Sequence, residues 1–364
     1  MADGERGPRV VFLMRFFHLV LALLACVAAW AQDGWIRPAS PDAPLTWGRR
    51  DGLVFGLPSS GGLPGPRGLI RVGVAQGKSG APERVNFIAV EPVVSGSGGR
   101  FSCMGFSELE PSALDGRKGK RLSVVGEVAG ELRTLPATAN PAAQTGGVLT
   151  SSAPPPIQQL TVRIEVEPFS ANGAHVYLLA RMTDARPEEV ELAVFHHPDS
   201  RPIEELTLTA TMGNYERLRL LWLKDRVVDS RALYAGYQGN AFIEHENYPL
   251  EETLRYGDGD VLALCTTDEE DPGGAEVGGW TYRSVKLTQY WRVPGHDIQP
   301  DLRVKVNGRR VYWGSANTVP GGLAFENFEL RQRYVAGQVF VFGLTRKAPW
   351  EFRPPIPRLV RRPP

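Results

Sequence analysis

The chain lacks every short motif that would name a reaction. It has no Gly-x-Gly-x-x-Gly, no phosphate loop, no Gly-x-Ser-x-Gly, no His-Glu-x-x-His and no paired Cys-x-x-Cys. Nucleotide, esterase and zinc-protease chemistries lose their usual carriers. Cysteine is scarce, with 3 among 364 residues, so disulfides cannot hold the fold and a core must. No Asn-x-Ser/Thr acceptor occurs. Charge of either sign is not in excess: 41 basic residues face 40 acidic ones. That balance excludes a basic footprint for nucleic acid and an acidic solvating tail. No segment shows the sustained periodicity of a long helix, and no repeat of fixed period occurs, which argues against propellers and β-helices.

What is present is a core and many turns. Hydrophobic residues make up 42% and charged residues 22%, while Gly 40 and Pro 30 imply many short elements. Residues 16–30 (FFHLVLALLACVAAW) form an apolar run after Arg15, closed by the small-x-small site Ala29-Trp30-Ala31. The run falls short of the ~20 residues of a membrane span. Residues 1–31 are therefore expected to be a signal peptide, with Met14 as an alternative start and an uncleaved anchor as the alternative reading. The protein is expected to be secreted or periplasmic, without a membrane span once the signal is removed. A lipoprotein box ending at Cys26 is a further alternative, although Leu24 is unusual for one. Removal of 1–31 takes three basic and two acidic residues, which leaves a neutral chain. Cys103 and Cys265 then remain, as a disulfide or as two separate thiols.

Residues 204–228 (EELTLTATMGNYERLRLLWLKDRVV) organise the rest. Leu206, Leu208, Ala210 and Met212 alternate with three threonines and Gly213, a period of two that predicts a strand. Gly213-Asn214 offers turn chemistry, and Leu218, Leu220 and Trp222 alternate on a predicted return strand. Further strands are predicted at 53–57, 68–74, 84–92, 101–109, 120–128, 160–167, 175–182, 189–196, 261–267, 280–287, 289–293, 302–306, 310–313, 322–330 and 338–345. Asn307-Gly308 reads as a two-residue hairpin turn. Residues 230–237 read as one or two helical turns, and 240–256 as an irregular loop. Residues 136–159 are too poor in large apolar side chains to bury anything and read as a low-complexity insertion; 353–364 read as a disordered tail. The fold expectation is all-β: one large antiparallel β-sandwich over 32–352 with few short helices.

Candidate chemistry gathers in two stretches. β-Elimination from a uronic acid needs a His or Tyr base and a cation to neutralise the carboxylate. His245, Tyr248, Tyr290, Arg292, Arg217 and Lys224 supply these types. His196-His197, His175 and His296 read as strand-end or turn residues. A hydrolase would need two carboxylates ~5–9.5 Å apart, for which Asp225, Glu246, Asp268, Glu269 and Glu326 are candidates. Trp222, Trp291 and Trp313, with Trp280, offer rings to stack on sugars, or core filling. Asp268, Glu269 and Asp271 could hold calcium or form a solvated acidic turn; no other cofactor or metal is expected. Each residue taken singly also fits a structural role.

Residues 322–345 (GLAFENFELRQRYVAGQVFVFGLT), 209–225 and 61–72 resemble secreted β-sandwich proteins of environmental bacteria from lineages rich in polysaccharide-degrading enzymes. The strand pattern is also similar to the supersandwich of galactose-mutarotase-like and polysaccharide-lyase proteins. That likeness implies an architecture and transfers no catalytic residue. The resulting expectation is a carbohydrate-active protein, lyase-like or hydrolase-like, acting on poly- or oligosaccharide at the concave face of a sheet. The alternatives are a non-catalytic carbohydrate-binding module and an envelope-associated structural sandwich.

Overall fold

A computed structural model describes residues 34–40, 43, 45–56, 70–75, 82–94, 111–112, 117–118, 122–125, 130–135, 156–166, 168–169, 172–211, 216–270, 275–277, 280–282, 286–312 and 315–352. The expected signal peptide (1–31), the predicted strand at 101–109, most of the predicted insertion, the tail after 352, Cys103, Gly213-Asn214, Asp271 and Trp313 lie outside the described residues.

The strands in the first half are β1 (Trp35–Ile36), β2 (Thr46–Arg49), β3 (Leu53–Gly56), β4 (Ile70–Ala75), β5 (Pro82–Val94), β6 (Pro111–Ser112), β7 (Arg117–Lys118), β8 (Leu122–Val125), β9 (Glu131–Leu135), β10 (Ile157–Val166), β11 (Val176–Thr183) and β12 (Arg186–His196). The second half holds β13 (Ile203–Thr211), β14 (Leu220–Trp222), β15 (Val227–Asp229), β16 (Glu246–Pro249), β17 (Leu254–Tyr256), β18 (Asp260–Thr266), β19 (Ala275–Val277), β20 (Trp280–Tyr282), β21 (Thr288–Val293), β22 (Arg303–Arg309), β23 (Ala324–Arg333) and β24 (Val339–Thr345). A short α-helix, α1 (Ser230–Leu233), is capped by Asp229, whose carboxylate accepts from the Arg231 backbone N–H.

The architecture is the all-β sandwich that the alternation predicts. A nine-stranded sheet runs β1-β2-β3-β4-β5-β13-β23-β22-β16. An eleven-stranded sheet runs β15-β14-β18-β21-β24-β12-β11-β10-β8, with β17 on β18 and β9 on β10. The pairings within both sheets are antiparallel. Strand alternation decides which side chains turn inward. Leu206, Leu208 and Ala210 of β13 join Leu160, Val162 and Ile164 of β10 in one core shared by the two sheets. Trp291 of β21 lies inside it, and its Nε1 donates to the Phe328 carbonyl of β23 at 2.9 Å, tying one sheet to the other. A polar bridge does the same nearby: Asn86 donates to Gln289 at 2.6 Å, and Gln289 donates to Glu216 at 2.9 Å.

Two turn expectations are corrected. Residues 204–228 are not one hairpin: β13 belongs to the nine-stranded sheet, and the chain then crosses to the eleven-stranded sheet, where β14 pairs with β15. The real hairpin is Leu220 to Asp229, closed by the Leu223 N–H on the Arg226 carbonyl at 2.9 Å. Asn307-Gly308 is not a hairpin turn either. It lies inside β22, opposite a register shift in β23. At Asn307-Gly308 tertiary pairing overrides local turn chemistry. The irregular segment 240–256 also contains an edge strand, β16, and the short strand β17. No helix among the described residues is long and apolar enough to cross a membrane.

Candidate functional site

Three polar clusters emerge from the strands. The first lies on the outer face of the nine-stranded sheet, where β13, β23 and β22 present every second residue. Thr209 pairs with Glu329, and Glu329 with Lys305. Lys305 Nζ donates to Glu329 at 2.9 Å, and His245 Nε2 meets the other Glu329 oxygen at 3.0 Å. Burial pushes the Glu329 carboxyl up, but His245 and Lys305 outweigh it and hold it below the usual range. Two residues along β22 and β23, Arg303 and Arg331 Nε both donate to Glu205, at 2.9 Å and 2.8 Å.

The second cluster lies on the opposite side, on the outer face of the eleven-stranded sheet. The Tyr290 hydroxyl donates to Glu189 at 3.1 Å. Arg292 donates to Glu189 at 2.6 Å and to Asp260 at 2.8 Å. Burial alone would raise Glu189, and the Arg292 and Arg186 charges overcome it and lower it. Burial, seconded by the Glu189 charge, pushes Tyr290 well above the usual phenol range, so it is a poor base at neutral pH. Its ring lies on Gly343, where a Cβ would come within 2.0 Å of Cζ, and Phe352 packs on it at 5.1 Å. Leu220, Trp222, Leu262 and Leu264 complete this apolar cover.

The third cluster sits where β14 begins and β18 ends. Arg217 forks onto Glu269 with two bonds of 2.8 Å. Arg219 reaches Asp268 at 3.0 Å and Glu269 at 2.5 Å, and also the Pro320 carbonyl. Arg231 ties Asp268 to Asp229. Arg217 has φ 50, a left-handed value costing about 1–2 kcal/mol outside glycine. The bidentate ion pair holds that backbone in place. The carboxylates of Asp268 and Glu269, suggested for calcium, are engaged by these three arginines, and Asp271 lies outside the described residues.

The residues suggested for one site are therefore spread over the molecule. His245 is on one outer face; Tyr290 and Arg292 share the other. Tyr248, three residues from His245, turns into the core, where burial pushes its phenol up to about 12. Lys224 and Asp225 are exposed in the hairpin turn, and Glu246 is exposed on the edge strand β16. Trp222 and Trp291 are not surface platforms: both are buried, with Trp222 Nε1 on the Thr266 hydroxyl at 2.9 Å. The groups not anticipated include Glu189 and Asp260 in the second cluster, Glu329, Lys305, Glu205, Arg303 and Arg331 in the first, and Arg219, Arg231 and Asp229 in the third. Glu189 and Glu329 each adjoin strand residues that face the core, a local pattern that flags a carboxylate needing a cation.

No protein-family model matches the chain, and no curated protein is significantly similar to it.

Proposed function

We propose that the protein is a non-catalytic saccharide-binding β-sandwich acting outside the cytoplasm, with the outer face of the nine-stranded sheet as its docking surface. The observation that carries this reading is the separation of the catalytic candidates. His245 and the Tyr290–Arg292 pair stand on opposite outer faces, with the core and Trp291 between them. Their charges are paired within the fold, which suits a scaffold better than an acid–base site. The docking face carries Glu205, Arg303, Arg331, Glu329 and Lys305 on rigid strands. Donors and acceptors alternate there at strand spacing of ~4.8 Å, a pattern that hydroxyl groups can answer. The apolar run at 16–30 supports export.

A second reading rests on one side chain. His245 keeps about a third of its side chain in solvent (33%) while touching buried Glu329, which Lys305 neutralises. That is a base, a carboxylate and a cation in one chain of contacts, enough for a lyase-like step. Purified mature protein presented with acidic and neutral polysaccharides separates the two. Affinity electrophoresis reads binding, while unsaturated-uronate absorbance and reducing ends read turnover. Binding with flat absorbance and flat reducing ends is the expected result. Turnover abolished by His245→Ala would establish the second reading. Neither binding nor turnover would leave only the structural envelope role.

A further inference from the structure

On the docking face, β22 and β23 fall out of step by one residue. Asn307 pairs with Asn327, but Gly308 pairs with Phe325, so Glu326 is the extra residue of a β-bulge. Bulges re-aim side chains and recur beside functional sites. Glu326 has no exposure to solvent, yet neither carboxylate oxygen has a hydrogen-bond partner. Arg309, which follows on β22, is in the same condition: Nε and Nη1 are buried and unpartnered. Its charge acts on Glu326 without a direct hydrogen bond. The Asn327 Oδ1 and the Thr209 hydroxyl are orphaned as well. Each such group costs about 1–3 kcal/mol, more when charged, and folded proteins keep few of them. A guest between Glu326 and Arg309 must hydrogen-bond a carboxyl group and accept from a guanidinium. A hydroxyl group does both.

Beside this pair stands Phe242, an aromatic ring 45% exposed, with the Arg309 guanidinium 4.8 Å from its centroid. The loop that carries it is held in place. The Ile243 N–H donates to the Gly308 carbonyl at 3.0 Å, the Tyr237 hydroxyl to the Ala241 carbonyl at 3.0 Å, and Arg310 to Asn240 at 2.9 Å. An exposed ring next to planar Glu, Arg and Asn side chains offers a stacking face and forked hydrogen bonds to one guest.

We propose that Phe242, Arg309, Glu326 and Asn327 form a subsite for a single neutral sugar ring, with hydroxyls lodged between Glu326 and Arg309 and the C–H face on Phe242. This rests on the saccharide-binding reading above. A cation is opposed by Arg309, and a uronate would place a second carboxyl group against the buried Glu326. Isothermal titration of the mature protein with cello-, xylo-, manno- and galacto-tetraose, and with an acidic oligouronate, tests it. At least one neutral tetraose should bind. Phe242→Ala and Glu326→Gln should each weaken that binding about tenfold or more, which is about 1.4 kcal/mol, with the melting temperature of Phe242→Ala near wild type and that of Glu326→Gln no lower than wild type. Phe242 is on the surface, so its variant remains informative if the Glu326 variant folds poorly. Binding unchanged in both variants would overturn the subsite and leave the saccharide reading standing. Preference for the oligouronate would overturn the assignment of a neutral ring. Absence of binding to every probe would overturn the subsite and the saccharide reading together.

Discussion

Two buried carboxylates, Glu189 on the eleven-stranded sheet and Glu326 on the nine-stranded one, are treated in opposite ways. On the eleven-stranded sheet, Glu189 is matched by Arg292 and Tyr290, and Arg292 by Asp260 as well. Phe352 packs against Tyr290 at the edge of this network. On the nine-stranded sheet, Glu326 and Arg309 lie close enough to feel each other's charge but make no bond, and an exposed ring stands beside them. Burial of a carboxylate is thus not a sign of function by itself. A saturated network is architecture; an unsaturated one beside an open aromatic is a place for a guest. The contrast can be broken experimentally, since the two carboxylates should answer substitution and pH in different ways.

The largest effect belongs to the saturated side. Arg292→Met should leave Glu189 as a buried charge without its main partner, a loss of about 3–5 kcal/mol. Urea denaturation of the single variant and of Arg292→Met/Glu189→Met measures it. The double variant should recover much of the loss, because two apolar side chains replace both charges. Equal loss in single and double variants would mean that packing against Tyr290, not charge pairing, holds this face.

Glu326 should show a smaller effect with a distinctive pH window. Burial, opposed by Arg309, raises its pKa from the ordinary 4.5 to about 8. Below 4.5 it is protonated both folded and unfolded, and its neutral form suits the buried position. Between 4.5 and 8 only the unfolded chain releases the proton. Stability should therefore fall across that window by up to about 1.4 kcal/mol per pH unit, a few kcal/mol in all, and level off above it. Glu189 and Glu329, whose pKa values are lowered, act in the opposite sense and at lower pH: their stabilisation is lost as pH falls. Wild type minus Glu326→Gln in chemical denaturation at pH 5 to 9 isolates the Glu326 contribution. A difference flat across that range would show that the carboxylate has a partner in solution and would remove the contrast between the faces.

Alternation made the strands legible. Residues 160–166 alternate between buried and partly buried side chains, and the shared core follows from that pattern. Sheet membership was not legible. Leu208 and Leu221 both face the core, but from different sheets, and period-two patterning carries no label for the sheet. Asn307-Gly308 shows the same limit: the dipeptide that suits a turn also suits a strand facing a bulge, and pairing with β23 decided between them. The tryptophans were ambiguous for a related reason, since a ring that can stack on sugar can equally fill a sandwich, and Trp291 does the latter. His245 stood out by its loop position, but Glu329 could not be assigned to it, because 84 residues separate the two in the chain.

The smallest expected effect tests whether the hairpin turn has any role. Lys224 and Asp225 sit between β14 and β15 with exposed side chains, and both were natural candidates for substrate contact. The turn is held by backbone bonds, from the Leu223 N–H to the Arg226 carbonyl and from the Lys224 N–H to the Glu252 carbonyl at 2.8 Å. Neither bond uses these two side chains. Lys224→Ala and Asp225→Ala should each change stability by less than about 0.5 kcal/mol, and saccharide titrations should be unaltered. A fall in binding from either variant, with Phe242→Ala silent, would move the docking surface from the nine-stranded sheet to this end of the eleven-stranded one. The orphaned Glu326 would then be left without the guest that its surroundings suit.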